Sequence, residues 1–279
     1  MARQFDHLVH CVHDLEAAYQ RFRSLGFTVK PPAVLPFGVR NRVILFENAY
    51  LELLTIDDSS AIPPAAQGDF SFGAHNQAFL AEGEGLSMLA FKGADASADA
   101  RTFAAQGLGS FASFDFSRDA VLADGRKVRA AFSLAFAIDP LLPRLAFFTC
   151  HHHLPRRELF LQPDHLRHAN GAKRVVQVTL PVPDPTAHRD FFERLTESKA
   201  SAAPGGLCFG PSGDRIVLLR HADLAQPRAA TCWLESPDLN VVERQLKDGG
   251  VPYRGAEGSI VVAPEDAFGV AIEFTTAIG

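Results

Sequence analysis

The segment Phe5-Asp-His-Leu-Val-His-Cys-Val-His-Asp14-Leu-Glu-Ala-Ala-Tyr-Gln-Arg-Phe22-Arg-Ser-Leu-Gly26-Phe27 reads as a strand, a cap, a helix and a stop. Phe5–Val12 alternates as a half-buried strand does. Asp14 is a residue type that caps helix N-termini through its carboxylate. Leu15, Ala18, Phe22 and Leu25 fall on one helical face, and Gly26 suits the left-handed position after a last turn. The same order recurs three times. Leu86–Phe91 leads to Asp95, with Phe103 and Gly107 at the same offsets. Arg174–Pro181 leads to Asp184 and Phe192, with Thr196 in place of the glycine. Ala230–Leu234 leads to Asp238, Leu246 and Gly250. Four copies in register predict duplication of one supersecondary unit.

Strand-like runs follow each helix. In the first unit they are Thr28–Val34, Arg42–Phe46 and Tyr50–Ile56. In the second they are Ser113–Leu122, Lys127–Ile138 and Arg144–Cys150, with Asp124-Gly125 as a hairpin signal. The third unit is abbreviated, with Leu207–Phe209 and Arg215–Arg220 the clearest runs. Val251–Arg254, Ser259–Val262 and Val270–Phe274 complete the fourth. Single helices between groups of strands predict an α+β fold of four βαβββ-type modules. Residues 1–155 hold the first pair, 156–173 form an insertion or linker, and 174–279 hold the second pair. Asp57–Gly85, rich in Ala, Pro, Gly and Gln, reads as a loop.

The bulk properties narrow the setting. The chain has 279 residues, 47% of them hydrophobic, and a net charge of −5, with no basic block, which argues against nucleic acid as a partner. Mean hydropathy near zero and the lack of a long apolar run argue against a membrane span, and the N-terminus carries no signal-peptide stretch. Cys11, Cys150, Cys208 and Cys232 are scattered without metal-knuckle spacing. A reducing, cytoplasmic setting is therefore expected. The 11 histidines are the compositional oddity, and His151, His152 and His153 are consecutive.

The N-terminal segment, with Tyr50-Leu-Glu-Leu-Leu beyond it, resembles a module of the glyoxalase-like, or vicinal-oxygen-chelate, superfamily. Pro264-Glu-Asp-Ala-Phe-Gly-Val-Ala-Ile-Glu-Phe274 resembles the last strand of such a module. Phe148-Thr-Cys-His-His and His168-Ala-Asn-Gly-Ala172 resemble a glyoxalase-like branch. The resemblance implies paired modules curled into two cupped half-barrel sheets. It also implies a divalent metal held by the first and last strands of each module, where it chelates neighbouring substrate oxygens. Zn, Fe, Mn and Ni all suit such a site.

Matched residue by residue, the resemblance places His7 and Glu52 on the first module's two ligand positions. Aligning Asp95 with Asp14 puts Met88 where His7 stands, and a thioether is a poor ligand for these metals. His152, on the same strand face as Cys150, is the candidate third ligand. In the second half the first-strand positions become Gln177 and Thr231. Glu273 survives in the fourth module, and the third offers Leu218 or Arg220. Modules three and four are thus expected to be a structural half without metal, the reverse of the extradiol dioxygenase layout. Arg40, Asn41, Cys11 and Cys150 are candidate substrate contacts, and His168 and Asn170 are candidates to close over the cleft.

Two classes of function follow. One is a metal-dependent lyase-, isomerase- or dioxygenase-like enzyme on a small carbonyl- or hydroxy-bearing metabolite, with Glu52 as ligand or general base. The other is a non-catalytic protein of the same fold that sequesters or senses a small molecule. A protein that binds partners along exposed strand edges is the third reading. No arginine cluster is diagnostic of glutathione. Whether the paired modules meet within one chain or across a homodimer is left open.

Overall fold

Two eight-stranded sheets account for most of the chain. The structure, a computed structural model, describes residues 2–122, 125–155, 163–221 and 231–276. Asp124 of the hairpin signal, residues 156–162 of the insertion and Ala230 lie outside the described residues. The first sheet contains β1 (Phe5–Cys11), β2 (Ala33–Leu35), β3 (Val39–Leu45), β4 (Tyr50–Ile56), β5 (Gly85–Lys92), β6 (Phe114–Val121), β7 (Lys127–Ala137) and β8 (Ala146–His152). Its order is β2-β3-β4-β1-β5-β8-β7-β6. The second contains β9 (Arg174–Val182), β10 (Ser201–Ala203), β11 (Gly206–Phe209), β12 (Arg215–Arg220), β13 (Thr231–Glu235), β14 (Arg254–Ala256), β15 (Ser259–Val262) and β16 (Ala271–Thr275). Its order, β10-β11-β12-β9-β13-β16-β15-β14, repeats that of the first. In each sheet two modules join antiparallel through their first strands, β1 with β5 and β9 with β13.

The module helices are α1 (Leu15–Ser24), α3 (Ala96–Gln106), α4 (Arg189–Thr196) and α5 (Leu239–Asp248). Asp14, Asp95 and Asp238 cap α1, α3 and α5 through side-chain bonds to backbone N–H groups. Asp184 caps a 3-10 turn, Pro185–His188, that leads into α4. Gly26, Gly107 and Gly250 take positive φ after their helices, whereas the third module keeps Thr196 helical and turns at Glu197, φ 53°. The third module has all its strands. Its brevity lies in their length, three residues in β10 and four in β11.

Phe22, Phe103, Phe192 and Leu246 occupy one repeated helix position and are all fully buried in a core shared by both sheets. Burying each such side chain is worth roughly 1.5–3 kcal/mol. Within the first cup lies a second core that includes Val9, Met88, Phe136 and Phe148. Part of it comes from a helix in the segment expected to be a loop. This helix, α2 (Phe72–Glu82), is capped by Ser71 and buries Phe72, Asn76, Phe79 and Leu80.

Polar clamps hold the two halves together. Asn48 Nδ2 donates to the Val175 carbonyl at 2.7 Å and its Oδ1 accepts from Val175 N–H at 3.1 Å. Phe5 N–H donates to Asp214 Oδ1 at 2.9 Å. His168 and Asn170 belong to this seam. His168 Nδ1 accepts from Thr28 N–H at 3.0 Å while its Nε2 donates to the Leu45 carbonyl at 2.9 Å. Asn170 ties Leu25 to Ala172. His10 Nε2 donates to the Phe268 carbonyl at 2.7 Å, and burial pushes the His10 pKa down to about 4. The unfolded chain therefore takes up a proton on His10 that the folded chain refuses, between its ordinary pKa and about 4. The stability it supports is present at neutral pH and falls on acidification, by up to about 3 kcal/mol at 1.36 kcal/mol per pKa unit. His10→Gln, which keeps a donor and removes the titration, is expected to flatten the loss of stability between pH ~6.5 and ~4 in denaturant melts. Wild type and variant losing stability in parallel across that window would contradict this.

Candidate functional site

β1 is an interior strand, between β4 and β5. Phe5 lies opposite Phe91 and His7 opposite Ala90, so Asp6 is an extra residue on β1, a β-bulge. The bulge breaks the alternation. Phe5 and Leu8 both enter the core shared with the helices, while Asp6 and His7 both face the interior of the cup. Asp6 then accepts two imidazoles: His7 Nδ1 at 2.6 Å on Oδ1, and His152 Nε2 at 3.0 Å on Oδ2. Burial alone would raise the Asp6 pKa. The hydrogen bonds from His152 and His7, with their electrostatic attraction, overcome it and hold the carboxyl far below the usual carboxylate range.

An ionised carboxylate only accepts, so His7 must carry its proton on Nδ1. In the neutral ring the lone pair of Nε2 then faces Glu52, whose Oε2 stands 3.6 Å away. The ring is fixed by stacking on Tyr50 at 4.4 Å between centroids and by the edge contact with Phe148 at 5.2 Å. Asn41 Nδ2 donates a hydrogen bond to the other Glu52 oxygen. His7, Asn41, Tyr50, Glu52, Arg118 and Cys150 form the polar part of a small cavity of about 40 Å³ walled by side chains including Phe37, Phe72, Phe116 and Phe132.

Register identifies the equivalent positions of the second module. Val9 pairs with Glu52 across β1 and β4, and Ala90 with Phe148 across β5 and β8. With Asp95 in the place of Asp14, Met88 and Phe148 replace His7 and Glu52. In the second sheet Thr179 pairs with Val217 and Trp233 with Glu273. The four equivalent positions there are Gln177, Val217, Thr231 and Glu273. Val217 corrects the expectation of Leu218 or Arg220, whose register was one residue or more out. Ser259 donates to Glu273 at 2.5 Å.

The structure brings His7, Glu52, Asn41 and Cys150 to one cavity and separates others from it. His152 shares the inner face with Cys150 but binds Asp6, so it enters the site through that carboxylate. Arg40 points to the opposite side of β3 from Asn41 and pairs with Asp57 at 2.8 Å. Cys11 is covered by α2. Its thiol bonds Asn76 at 3.0 Å, and burial pushes its pKa up to about 12. Neither Arg40 nor Cys11 lines the cavity. Asp6 escaped sequence reasoning because strand alternation assigns it to the face opposite His7.

Two overlapping donor sets contain His7. Asp6, His7 and Cys150 each offer an atom within 4.8 Å of the others. The 2.6 Å separation of Asp6 and His7 is a hydrogen bond, shorter than the ~3 Å expected of neighbouring ligands with bonds of ~2.1 Å to one ion. His7 Nε2 and Glu52 Oε2, at 3.6 Å, are spaced as two such ligands are. Asp6 therefore fits as the outer carboxylate that orients a ligating histidine.

The sequence profile of the family described as "Glyoxalase-like domain" matches residues 5–196, well over half the chain. The chain belongs to the glyoxalase-like domain family. Solved structures carry the same fold at low identity. A hypothetical protein from Staphylococcus aureus superposes with a TM-score of 0.71 at 10% identity, covering 98% of each chain. A triple mutant of 4-hydroxymandelate synthase from Streptomyces coelicolor gives 0.65 at 12% identity, over 100% of this chain and 94% of that one. A fusion of a xylose isomerase-like TIM barrel with 4-hydroxyphenylpyruvate dioxygenase gives 0.59 at 12% identity, over 98% of this chain and 48% of that one. No curated protein matches the sequence. The two-cup architecture is thus the vicinal-oxygen-chelate fold.

Replacing Asp6 by Asn removes the charge from two buried hydrogen bonds, each worth about 1.5–3 kcal/mol when charge-assisted. Asp6→Asn is expected to lower unfolding free energy by at least about 2 kcal/mol in urea melts at neutral pH. Wild-type stability in this variant would contradict the bonding scheme.

Proposed function

We propose that the first cup is the site of a divalent-metal-dependent enzyme acting by lyase- or isomerase-type proton transfer on a small carbonyl- or hydroxy-bearing metabolite. The observation that supports this reading is His7 Nε2 facing Glu52 Oε2 at 3.6 Å in a buried cavity. With the ring neutral, two acceptors face each other at that spacing and call for a cation or a proton donor between them. His7 and Glu52 would hold the ion, with Cys150 as a nearby soft donor. When bound, such an ion would supply Lewis acidity toward a substrate oxygen.

The chain's own groups do the rest. Asn41 occupies one Glu52 oxygen and leaves Oε2 facing His7 and the cavity. If Glu52 instead leaves the ion, that oxygen is the one placed to take and return a proton beside a carbonyl. Tyr50 and Phe148 hold the His7 ring in place, and Asp6 holds its tautomer. The phenylalanine walls exclude water, which strengthens the electrostatics within. Dioxygen chemistry, of the kind named for the dioxygenase fusion, is the alternative reaction on the same donors. Cys11, Cys150, Cys208 and Cys232 are free thiols, which supports a reducing, cytoplasmic compartment.

A second reading, a metal-free small-molecule binder, is favoured by Met88 and Phe148 at the other two equivalent positions. Metal analysis separates the two. After loading with Zn, Mn, Fe or Ni and desalting, the wild-type protein is expected to retain near-stoichiometric ion, and His7→Ala and Glu52→Gln to lose at least about tenfold in affinity. A wild-type protein that retains no ion, or variants that retain it equally, would defeat the enzyme reading as stated.

A further inference from the structure

Asp6 faces the cup because Phe5 and His7, on either side of it, are each held in place. His7 pairs with Tyr50, the first residue of β4, and lies opposite Ala90 of β5. Phe5 lies beyond the start of β4. The Gln4 carbonyl faces β5, where it accepts from Lys92 N–H at 2.9 Å. By strand alternation Phe5 N–H faces the other way, to a side that β4 does not yet cover. Its acceptor comes from the second half of the chain, Asp214 Oδ1 at 2.9 Å. Phe5 is fully buried and Asp214 is 3% exposed, so this amide has no recourse to bulk water. The turn before β12 presents the carboxylate. Asp214 N–H donates to the Pro211 carbonyl at 3.1 Å, and Gly210 takes φ +91° where a Cβ would stand 2.5 Å from the Asp214 carbonyl oxygen.

The same device recurs with the halves exchanged. Val175 stands in β9 at the offset from Asp184 that Phe5 has from Asp14. Trp233 pairs with Gln177 and Leu234 with Val175, so Val176 is an extra residue on β9 as Asp6 is on β1. The Val175 N–H and carbonyl are both bound by Asn48, from the turn before β4 of the first half. Each half thus clasps the amide that precedes the other half's bulge. The two clasps meet where Asn48 Nδ2 donates to Asp214 Oδ1 at 3.3 Å. In the second half the bulged residue is a valine, whereas in the first it is the carboxylate that orients His7.

We infer that Asp214 of the second half is a positioning residue for the first-cup site: by accepting the Phe5 N–H it locks the bulge that aims Asp6 at His7 Nδ1. Without that acceptor a buried N–H is left unmet, which is costly, and the start of β1 shifts to satisfy it and carries Asp6 along. The assignment rests on the reading of the first cup as the site. It gives the half that lacks the His7–Glu52 pair a part in holding that pair's geometry.

The test uses full-length, isotope-labelled, chelator-treated protein near neutral pH and reads two protons, the Phe5 amide and His7 Nδ1–H. In the wild type the Phe5 amide is expected to exchange with solvent as slowly as the ladder amides of β1, and rapid exchange there would overturn the assignment without any variant. Asp214→Ala is expected to speed exchange of the His7 Nδ1 proton at least about fivefold, and Asp214→Asn, which keeps an acceptor oxygen, to stay within about twofold of wild type. Asp214→Ser, with a side chain one bond too short to span to Phe5, is the second variant and should follow Asp214→Ala. His188→Gln controls for lost stability alone. It disrupts the buried 2.6 Å bond between His188 and Asp139, which joins the same two halves elsewhere, and should destabilise the protein while leaving the His7 proton unchanged. A folded Asp214→Ala or Asp214→Ser protein with the wild-type His7 signal would contradict the positioning role. So would an Asp214→Asn protein as perturbed as these, or a His7 proton loosened equally by His188→Gln. Because no metal is present, a failure here is distinct from a failure of the His7–Glu52 metal analysis.

Discussion

The hydrogen bond from His7 Nδ1 to Asp6 Oδ1 governs what the first cup can do. It exists because one extra residue in β1 turns Asp6 to the same face as His7. In the neutral ring the bond fixes the tautomer and so directs the Nε2 lone pair at Glu52. A buried carboxylate so far from water would be costly alone. The second imidazole, His152, shares the load by donating to the same group. Asp6, His7 and His152 therefore act as one unit, and Glu52 with Asn41 meets that unit across the cavity.

The repeated architecture makes the divergence plain. Four modules share one topology, one cap position and one buried helix residue, at Phe22, Phe103, Phe192 and Leu246. Helix packing on a curved sheet demands those features of every copy. The inward positions near the sheet centre are under no such demand. In the first module they hold His7 and Glu52, in the second Met88 and Phe148. In the second half Gln177, Val217, Thr231 and Glu273 stand there. His7, Asn41 and Glu52 come from one module, and its neighbour supplies Phe116, Phe132 and Phe148 of the aromatic wall together with Cys150 and His152.

Much of the fold was legible because periodicity and capping are local. Asp14, Asp95, Asp184 and Asp238 each cap a helical segment, and Tyr50–Ile56, Arg215–Arg220 and Ser259–Val262 are strands over those residues. α2 was hidden by the Pro- and Ala-rich run before it, although Ser71 and the Phe72, Phe79 and Leu80 spacing carry a helical signal. The site was only half legible. His7 and Glu52 lie at motif positions, and Asn41 joins them in the cavity. A bulge has no signature in alternation, so the place of Asp6, and with it that of His152, could not be read. Arg40 and Arg118 show the same limit: which of two arginines reaches the cavity depends on strand face and on which edges meet, and these are set by tertiary pairing.

The protonation state of His7 tests the central claim most directly. Long-range proton–nitrogen correlation spectra of isotope-labelled, chelator-treated protein near neutral pH distinguish the two neutral tautomers from the imidazolium. The account predicts a His7 ring protonated at Nδ1 with an unprotonated Nε2, a state that Asp6→Asn weakens. A ring protonated at Nε2 would mean that the lone pair does not face Glu52, and the proposed site chemistry would not stand.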